Sequence, residues 1–169
     1  MRSSLTIFLT EVKKEEKERV GMKAARLAEL QTSGFSVPRA FAVTVDAFEE
    51  FLRKNDLYFL LERLSVERDR NILEKICRRL QLKIKKGNLP NNLRKEILTK
   101  ARELQTSVFS VRSSATCEDL NSASFAGQFE SYLNIAFDDL LDFIKTCWAS
   151  LYEERVPVSY THLTLPTKA

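Results

Sequence analysis

Residues 107–135, SVFSVRSSATCEDLNSASFAGQFESYLNI, decide the fold and contain one candidate site. Residues 107–111 alternate in the manner of a strand that runs directly into Arg112. Residues 113–131 are rich in small and hydroxyl side chains and lack helical periodicity, which predicts a loop. Residues 132–135 predict a second strand. The segment therefore predicts a strand, a polar loop and a strand, with an arginine where the loop begins.

The chemistry of this loop suits a polyphosphate. Arg112 can bind two phosphate oxygens at once, and Ser113, Ser114 and Thr116 add short hydroxyl donors. Gly127 has no side chain, so a ligand can approach its backbone amide closely. Taken alone, the same residues also suit an ordinary serine-rich loop with one surface arginine.

A second candidate site lies at the start of a predicted helix. Apolar residues recur at helical spacing over 20–33, and Gly34 stands where a helix-terminating glycine is expected. Gly21 and Lys23 occupy the N-terminal end, where free amides and the helix dipole favour an anion. The GxxxxGK[ST] pattern of a Walker A loop is absent. Taken alone, a lysine in the first turn of a helix is usually only solvated.

The other segments predict helices and one more strand. A strand is predicted over 40–45, followed by a helix that Thr44 or Asp46 could cap. Further helices are predicted over 57–64, over 67–86, from Pro90 to about residue 104, and over 138–155. We expect an α/β (α+β) fold with one small mixed sheet formed by the strands near 40–45, 107–111 and 132–135. Residues 56–105 are expected to project as a separate helical lobe.

Three segments together resemble a known family. They are VGMKAARLAELQTSGFSVPRAFAVTVDAFEEFL (20–52), VRSSATCEDLNSASFAGQFESYLNI (111–135) and KTCWASLYEERV (145–156). They are similar to the ATP-binding domain of phosphoenolpyruvate synthase, pyruvate phosphate dikinase and rifampicin phosphotransferase. The resemblance covers residues 5–156 in order. It implies an ATP-grasp-type domain, incomplete in this chain.

The resemblance also implies roles for individual residues. Lys23 matches the family's ATP-contacting lysine, and Arg112 matches the arginine that contacts the phosphates. Gly127 matches the glycine of a loop that covers the phosphates, and Ser131 replaces a nucleotide-contacting threonine. Ser113, Ser114 and Thr116 would support the phosphate loop. The sequence departs from the family pattern at Met22 and Arg39, which replace glycines, and at Asn121, which replaces a proline.

The implied activity belongs to a longer parent enzyme. In the family, phosphoryl groups of ATP pass through a mobile histidine domain to pyruvate or to an antibiotic hydroxyl. The Mg²⁺ ligands, much of the adenine pocket, the histidine domain and the pyruvate-binding barrel are expected outside this chain. We therefore expect no catalytic residue and no metal ligand here, and an inactive chain that offers one wall of the ATP site. The alternatives are a rifampicin phosphotransferase-like domain, a non-catalytic nucleotide-binding module and a helical interaction domain.

Composition limits the other function classes. The 27 basic and 23 acidic residues are interspersed, which argues against a nucleic-acid partner. No apolar run approaches the roughly 18 to 20 residues of a membrane span, and the start lacks the pattern of a signal peptide. Cys77, Cys117 and Cys147 are widely spaced and suit a reducing compartment. The expectation is a cytoplasmic protein with no membrane partner.

The last 13 residues differ in composition from the rest of the chain. Residues 157–169, PVSYTHLTLPTKA, carry no charge before Lys168 and contain His162, the chain's only histidine. Residues 158–167 can be encoded by codons that resemble the end of a transposase sequencing adapter. We expect residues 157–169 to be a non-native tail and the authentic polypeptide to end near Val156.

Overall fold

The computed structural model describes residues 4–114 and 131–152, which form helices and two small sheets. The strands are β1 (Thr6–Phe8), β2 (Phe41–Val43), β3 (Val108–Arg112) and β4 (Ser131–Ala136). The α-helices are α1 (Lys17–Val20), α2 (Met22–Thr32), α3 (Val45–Lys54), α4 (Tyr58–Val66), α5 (Arg70–Lys86), α6 (Asn91–Glu103) and α7 (Leu140–Ser150). Short 3-10 turns cover Leu9–Glu11, Lys14–Glu16 and Phe137–Asp139. The described part is an α+β structure, and none of its helices is both long and apolar enough to cross a membrane.

The strands pair differently from the prediction. β1 pairs antiparallel with β2, with Ile7 opposite Ala42, and β3 pairs antiparallel with β4, with Val108 opposite Ala136. The predicted single mixed sheet is therefore wrong for the described residues, which contain two separate antiparallel pairs. The partner of β2 is a three-residue strand that the sequence did not indicate, because so short a segment shows no alternation.

Local signals set the helix boundaries. Thr44, not Asp46, caps α3, and its hydroxyl accepts a hydrogen bond from the Ala47 amide. Asp69 caps α5 by accepting from the Asn71 amide at 2.8 Å. Gly34 ends α2 with a φ of +86°, in the left-handed region that favours glycine. These ends agree closely with the predicted helices.

The helices of residues 56–105 share their cores with the rest of the fold. Leu80 and Ile84 of α5 lie in one buried cluster with Phe51 of α3 and Ala149 of α7. α6 contributes to a second cluster, which includes buried residues of β3, β4 and α7. The sequence predicted a separate helical lobe, but these buried faces pack on α3, α7 and the β3–β4 pair. Amphipathic spacing identifies a buried face without identifying what covers it.

A third cluster lies beneath the start of α2. It contains Ile7 of β1, Ala42 of β2 and residues from both sides of Gly21, namely Val20, Ala24, Ala25 and Ala28. The small alanines let α2 approach the β1–β2 pair closely. This packing fixes the position of the N-terminal end of α2, where the second candidate site lies.

Candidate functional site

The N-terminal end of α2 is set by a glycine in a conformation that other residues rarely adopt. Gly21 has φ +80° and ψ 162°, a region that is essentially restricted to glycine. The chain turns there from α1 into α2, and Lys23 follows as the second residue of α2 with an exposed side chain. Lys23 thus lies in the first helical turn, as the sequence predicted.

Ser114 connects the loop after β3 to this helix end. Its Oγ accepts a hydrogen bond from the Ala24 amide at 2.9 Å. Its backbone oxygen lies 1.6 Å from the position that a Cβ on Gly21 would occupy. A side chain at position 21 therefore has no space, and the two backbones pass in direct contact. Two segments that are 90 residues apart, and that the sequence singled out separately, lie together in the structure.

Arg112 and Ser131 lie side by side at the open end of the β3–β4 pair. They are opposite each other in the strand register, and Arg112 Nε donates to Ser131 Oγ at 3.2 Å. Both residues are exposed to solvent. Because β3 ends at Arg112 and β4 begins at Ser131, strand pairing holds the backbones of these two residues next to each other.

The remaining predicted residues have different surroundings. Ser113 is buried, with 8% of its surface exposed, so it offers less to an incoming ligand than Arg112 does. Ser114 already uses its oxygen to cap α2, although its hydroxyl proton can still be donated. Thr116 and Gly127 lie outside the described residues.

A partly buried arginine that the sequence analysis did not identify, Arg19, lies next to the candidate site. Arg19 Nε donates to Asp46 Oδ2 at 2.7 Å, and its guanidinium also binds the Ser4 carbonyl at 2.7 Å and the Glu16 carboxylate. Burial lowers the pKa of Arg19, but the hydrogen bonds to Asp46 and Glu16 outweigh burial and raise it overall. This network joins α1 to α3 two residues before Gly21. The spacing of Glu16 and Arg19, three residues apart, was the available signal.

The assembled groups suit anionic oxygens. Lys23 and Arg112 supply exposed positive charge, and Ser114 and Ser131 supply hydroxyl groups. Mg²⁺ prefers carboxylate and water oxygens, and these four residues include no carboxylate. Across residues 4–114 and 131–152, no group of three or more His, Cys, Asp or Glu residues is placed to hold a metal ion. These groups are chemically suited to phosphate oxygens, and we assign none of them to a metal.

A separate surface cleft contains none of these residues. It lies between the start of β1 and helices α3 and α6, and Glu50, Arg53 and Glu96 line it. Glu96 accepts hydrogen bonds from the amides of Leu5 and Thr6, and Glu50 accepts one from Asn92. These polar groups serve to attach β1 and α3 to α6, which leaves the Gly21–Ser114 region as the better candidate.

Comparison with known proteins identifies a family that matches most of the chain. The family model described as "Pyruvate phosphate dikinase, AMP/ATP-binding domain" matches residues 17–163. The chain is 36% identical to a rifampicin phosphotransferase of Bacillus subtilis over 162 residues, which cover 92% of this chain and 19% of that protein. It is 36% identical to a phosphoenolpyruvate synthase of Aeropyrum pernix, covering 92% of this chain and 20% of that protein.

A third relative gives the same result. The chain is 35% identical to the phosphoenolpyruvate synthase of Escherichia coli over an alignment that covers 94% of this chain and 21% of that protein. The chain thus spans about a fifth of the length of the curated relatives it matches.

Proposed function

Because the chain belongs to the pyruvate phosphate dikinase AMP/ATP-binding domain family, we propose that it binds the phosphates of ATP at the Gly21–Ser114 contact. Lys23 and Arg112 would neutralise phosphate charge, and Ser131 would donate a hydroxyl hydrogen bond. Gly127 would cover the phosphates, with Ser113, Ser114 and Thr116 as support. The observation that carries the proposal is the Ser114–Ala24 hydrogen bond, which joins the two candidate segments.

We propose further that the domain is of the ATP-grasp type and forms part of an ATP-dependent phosphotransferase. The preferred parent resembles phosphoenolpyruvate synthase and uses pyruvate as the acceptor, since relatives of that name recur among the matches. A rifampicin phosphotransferase-like parent is the second candidate, supported by an equal identity of 36%. In the first case, a full-length protein carrying this segment would convert ATP, pyruvate and water to phosphoenolpyruvate, AMP and phosphate. In the second case, it would transfer a phosphoryl group of ATP to a rifampicin hydroxyl.

This chain would bind ATP weakly and would not turn it over. Lys23 and Arg112 contribute charge from one side of a ligand, which together stabilises binding by about 2 to 4 kcal/mol. Ordering the surrounding polar loop costs conformational entropy of similar size. Dissociation constants of about a millimolar or weaker follow. The Mg²⁺ that accompanies ATP in such reactions would be bound by other parts of the parent.

The test is a titration of the isotopically labelled chain with ATP, monitored by NMR and by calorimetry. Amide shifts are expected at residues 21–24, 112–114 and 131. Arg112→Ala should weaken ATP binding about tenfold or more, because it removes a charge-assisted contact. Lys95→Ala, which removes an exposed lysine of α6, is the matched control. Equal ATP affinities for Arg112→Ala and Lys95→Ala would refute the assignment of Arg112 to phosphate binding. Micromolar ATP binding or ATP hydrolysis by the chain would refute the proposal that it holds only part of the ATP site.

A further inference from the structure

The positive charge of this chain is concentrated on α5. Its 17 residues include seven lysines and arginines and one glutamate, a net charge of +6, whereas the whole chain carries +4. The rest of the chain is therefore net negative. The mixed charges of the preceding segment, residues 62–69, make this concentration hard to see in the sequence.

The charges of α5 include a continuous exposed row. Lys75, Arg79, Lys83 and Lys86 recur at intervals of three or four residues, and all four are exposed. The row spans about 17 Å of helix. The core-facing residues Ile76, Cys77, Leu80 and Ile84 are buried. We refer to Lys75, Arg79, Lys83 and Lys86 as the basic face.

Ion pairs among the described residues do not explain the basic face. Among the described residues, no carboxylate lies within 4 Å of Lys75, Arg79, Lys83 or Lys86, and Glu74 is paired with Arg70 at 3.3 Å. The helix dipole favours cations in the last turn, which accounts for Lys83 and Lys86. It does not account for Lys75 and Arg79, which repel each other as like charges four residues apart. A negatively charged partner would remove this repulsion.

Exposed apolar side chains border the basic face. Leu82 is 59% exposed and neighbours Lys83 on α5. Phe59 of α4 is 46% exposed, and its ring centre lies 5.9 Å from the Arg79 guanidinium carbon. A nucleic-acid backbone would gain from the cations but would make little use of the leucine. A peptide with acidic side chains and an apolar side chain would use both features.

We propose that the basic face, together with Leu82 and Phe59, binds an acidic protein segment that carries an apolar anchor. Carboxylates of the partner pair with the basic face, and its apolar side chain packs between Leu82 and Phe59. This surface is distinct from the residues assigned to phosphate binding. Electrostatic complementarity of this kind accelerates association and orients the partner.

The test uses a fluorescent helical peptide rich in glutamate with central leucines, measured by anisotropy at low and at physiological salt. The wild-type chain should bind this probe, and the combined Lys75→Gln, Lys83→Gln and Lys86→Gln variant should bind about tenfold more weakly. Leu82→Ala should weaken binding about threefold, since it removes part of the apolar contact. Circular dichroism verifies that α5 still folds in each variant.

A charge-matched control separates a specific surface from net charge. Lys13→Gln, Lys14→Gln and Lys95→Gln remove the same number of exposed lysines outside α5 and should leave binding within about twofold. Equal weakening by the two triple variants would overturn the proposal, as would no binding of the peptide by the wild-type chain. Tighter binding of an oligonucleotide than of the peptide would overturn it in favour of a nucleic-acid surface. ATP binding at Arg112 should be unaffected throughout, so this test can fail without affecting the proposed function.

Discussion

Replacing Gly21 with alanine tests the contact that assembles the candidate site. A Cβ at this position would lie 1.6 Å from the Ser114 backbone oxygen, far inside any non-bonded contact distance. The new methyl group cannot be accommodated by a side-chain rotation, because the obstacle is backbone. Either α2 or the loop after β3 must move, and the Ala24–Ser114 hydrogen bond is then lost.

The expected loss of stability has two parts. Holding alanine at φ +80° and ψ 162° costs about 1 to 3 kcal/mol. Loss of the Ala24–Ser114 hydrogen bond adds about 0.5 to 1.5 kcal/mol, before any cost of displacing the loop. Gly21→Ala should therefore lower the free energy of unfolding by about 1.5 to 4.5 kcal/mol, before any cost of displacing the loop. Such a loss is a large fraction of the stability of a small domain.

Gly34→Ala is the matched control. Gly34 also has a positive φ, at +86°, but no atom lies within 4 Å of the position that its Cβ would take. This substitution should cost only the conformational strain, about 1 to 2 kcal/mol. The free energies of unfolding of both variants are measured by urea denaturation. The comparison requires that the slope of this free energy against urea concentration is the same for both. If Gly21→Ala destabilises the chain no more than Gly34→Ala does, the close contact with Ser114 is wrong.

Three further predictions follow from the same structure. Ser114→Ala should lower the free energy of unfolding by about 0.5 to 2 kcal/mol in urea titrations, whereas Ser110→Ala at an exposed strand position should change it by less than about 0.5 kcal/mol. Thr44→Val should lower the free energy of unfolding by about 1 to 3 kcal/mol in thermal unfolding, because the buried Thr44 hydroxyl donates to the Leu5 carbonyl and accepts from the Ala47 amide. Thr44→Ser keeps this hydroxyl and should retain most of the stability. Burial, with a smaller effect of Cys77, raises the pKa of Tyr152 above its ordinary value. The contribution of the neutral Tyr152 side chain to stability is therefore complete below the unfolded-state pKa of about 10. Above pH 10, the free energy of unfolding should fall by up to about 1.4 kcal/mol per pH unit. Tyr152→Phe should reduce this fall in the free energy of unfolding above pH 10. If the variant shows the same dependence on pH as the wild-type chain, Tyr152 is not its source.

The sequence predicted local features well because local chemistry sets them. The capping hydroxyl of Thr44 and the terminal position of Gly34 each act within a few residues, and each appears in the structure as predicted. The apolar spacing that identified α5 likewise depends only on neighbouring turns. These signals determine where an element begins and ends.

Contacts between residues distant in the sequence could not be predicted from such local signals. The single mixed sheet was wrong because β2 pairs with a three-residue strand near the N-terminus. The Arg19–Asp46 pair was overlooked because its two residues are 27 positions apart in the sequence. For the candidate site, the sequence identified Lys23 and Arg112 separately, but only the folded chain shows that Gly21 and Ser114 join their segments.

This joining gives the site a property that its individual residues do not have. Lys23 is an exposed side chain, so Lys23→Ala should weaken phosphate binding while leaving the fold intact. Gly21 contributes no side chain to a ligand, yet Gly21→Ala should reduce stability and phosphate binding together, because it separates the two segments. A contact across 90 residues forms only when most of the chain has folded, so binding that depends on it requires the folded domain. ATP binding measured for both variants, at urea concentrations where each remains folded, distinguishes the two roles. Retention of full binding by Gly21→Ala would mean that the Lys23 and Arg112 segments act independently.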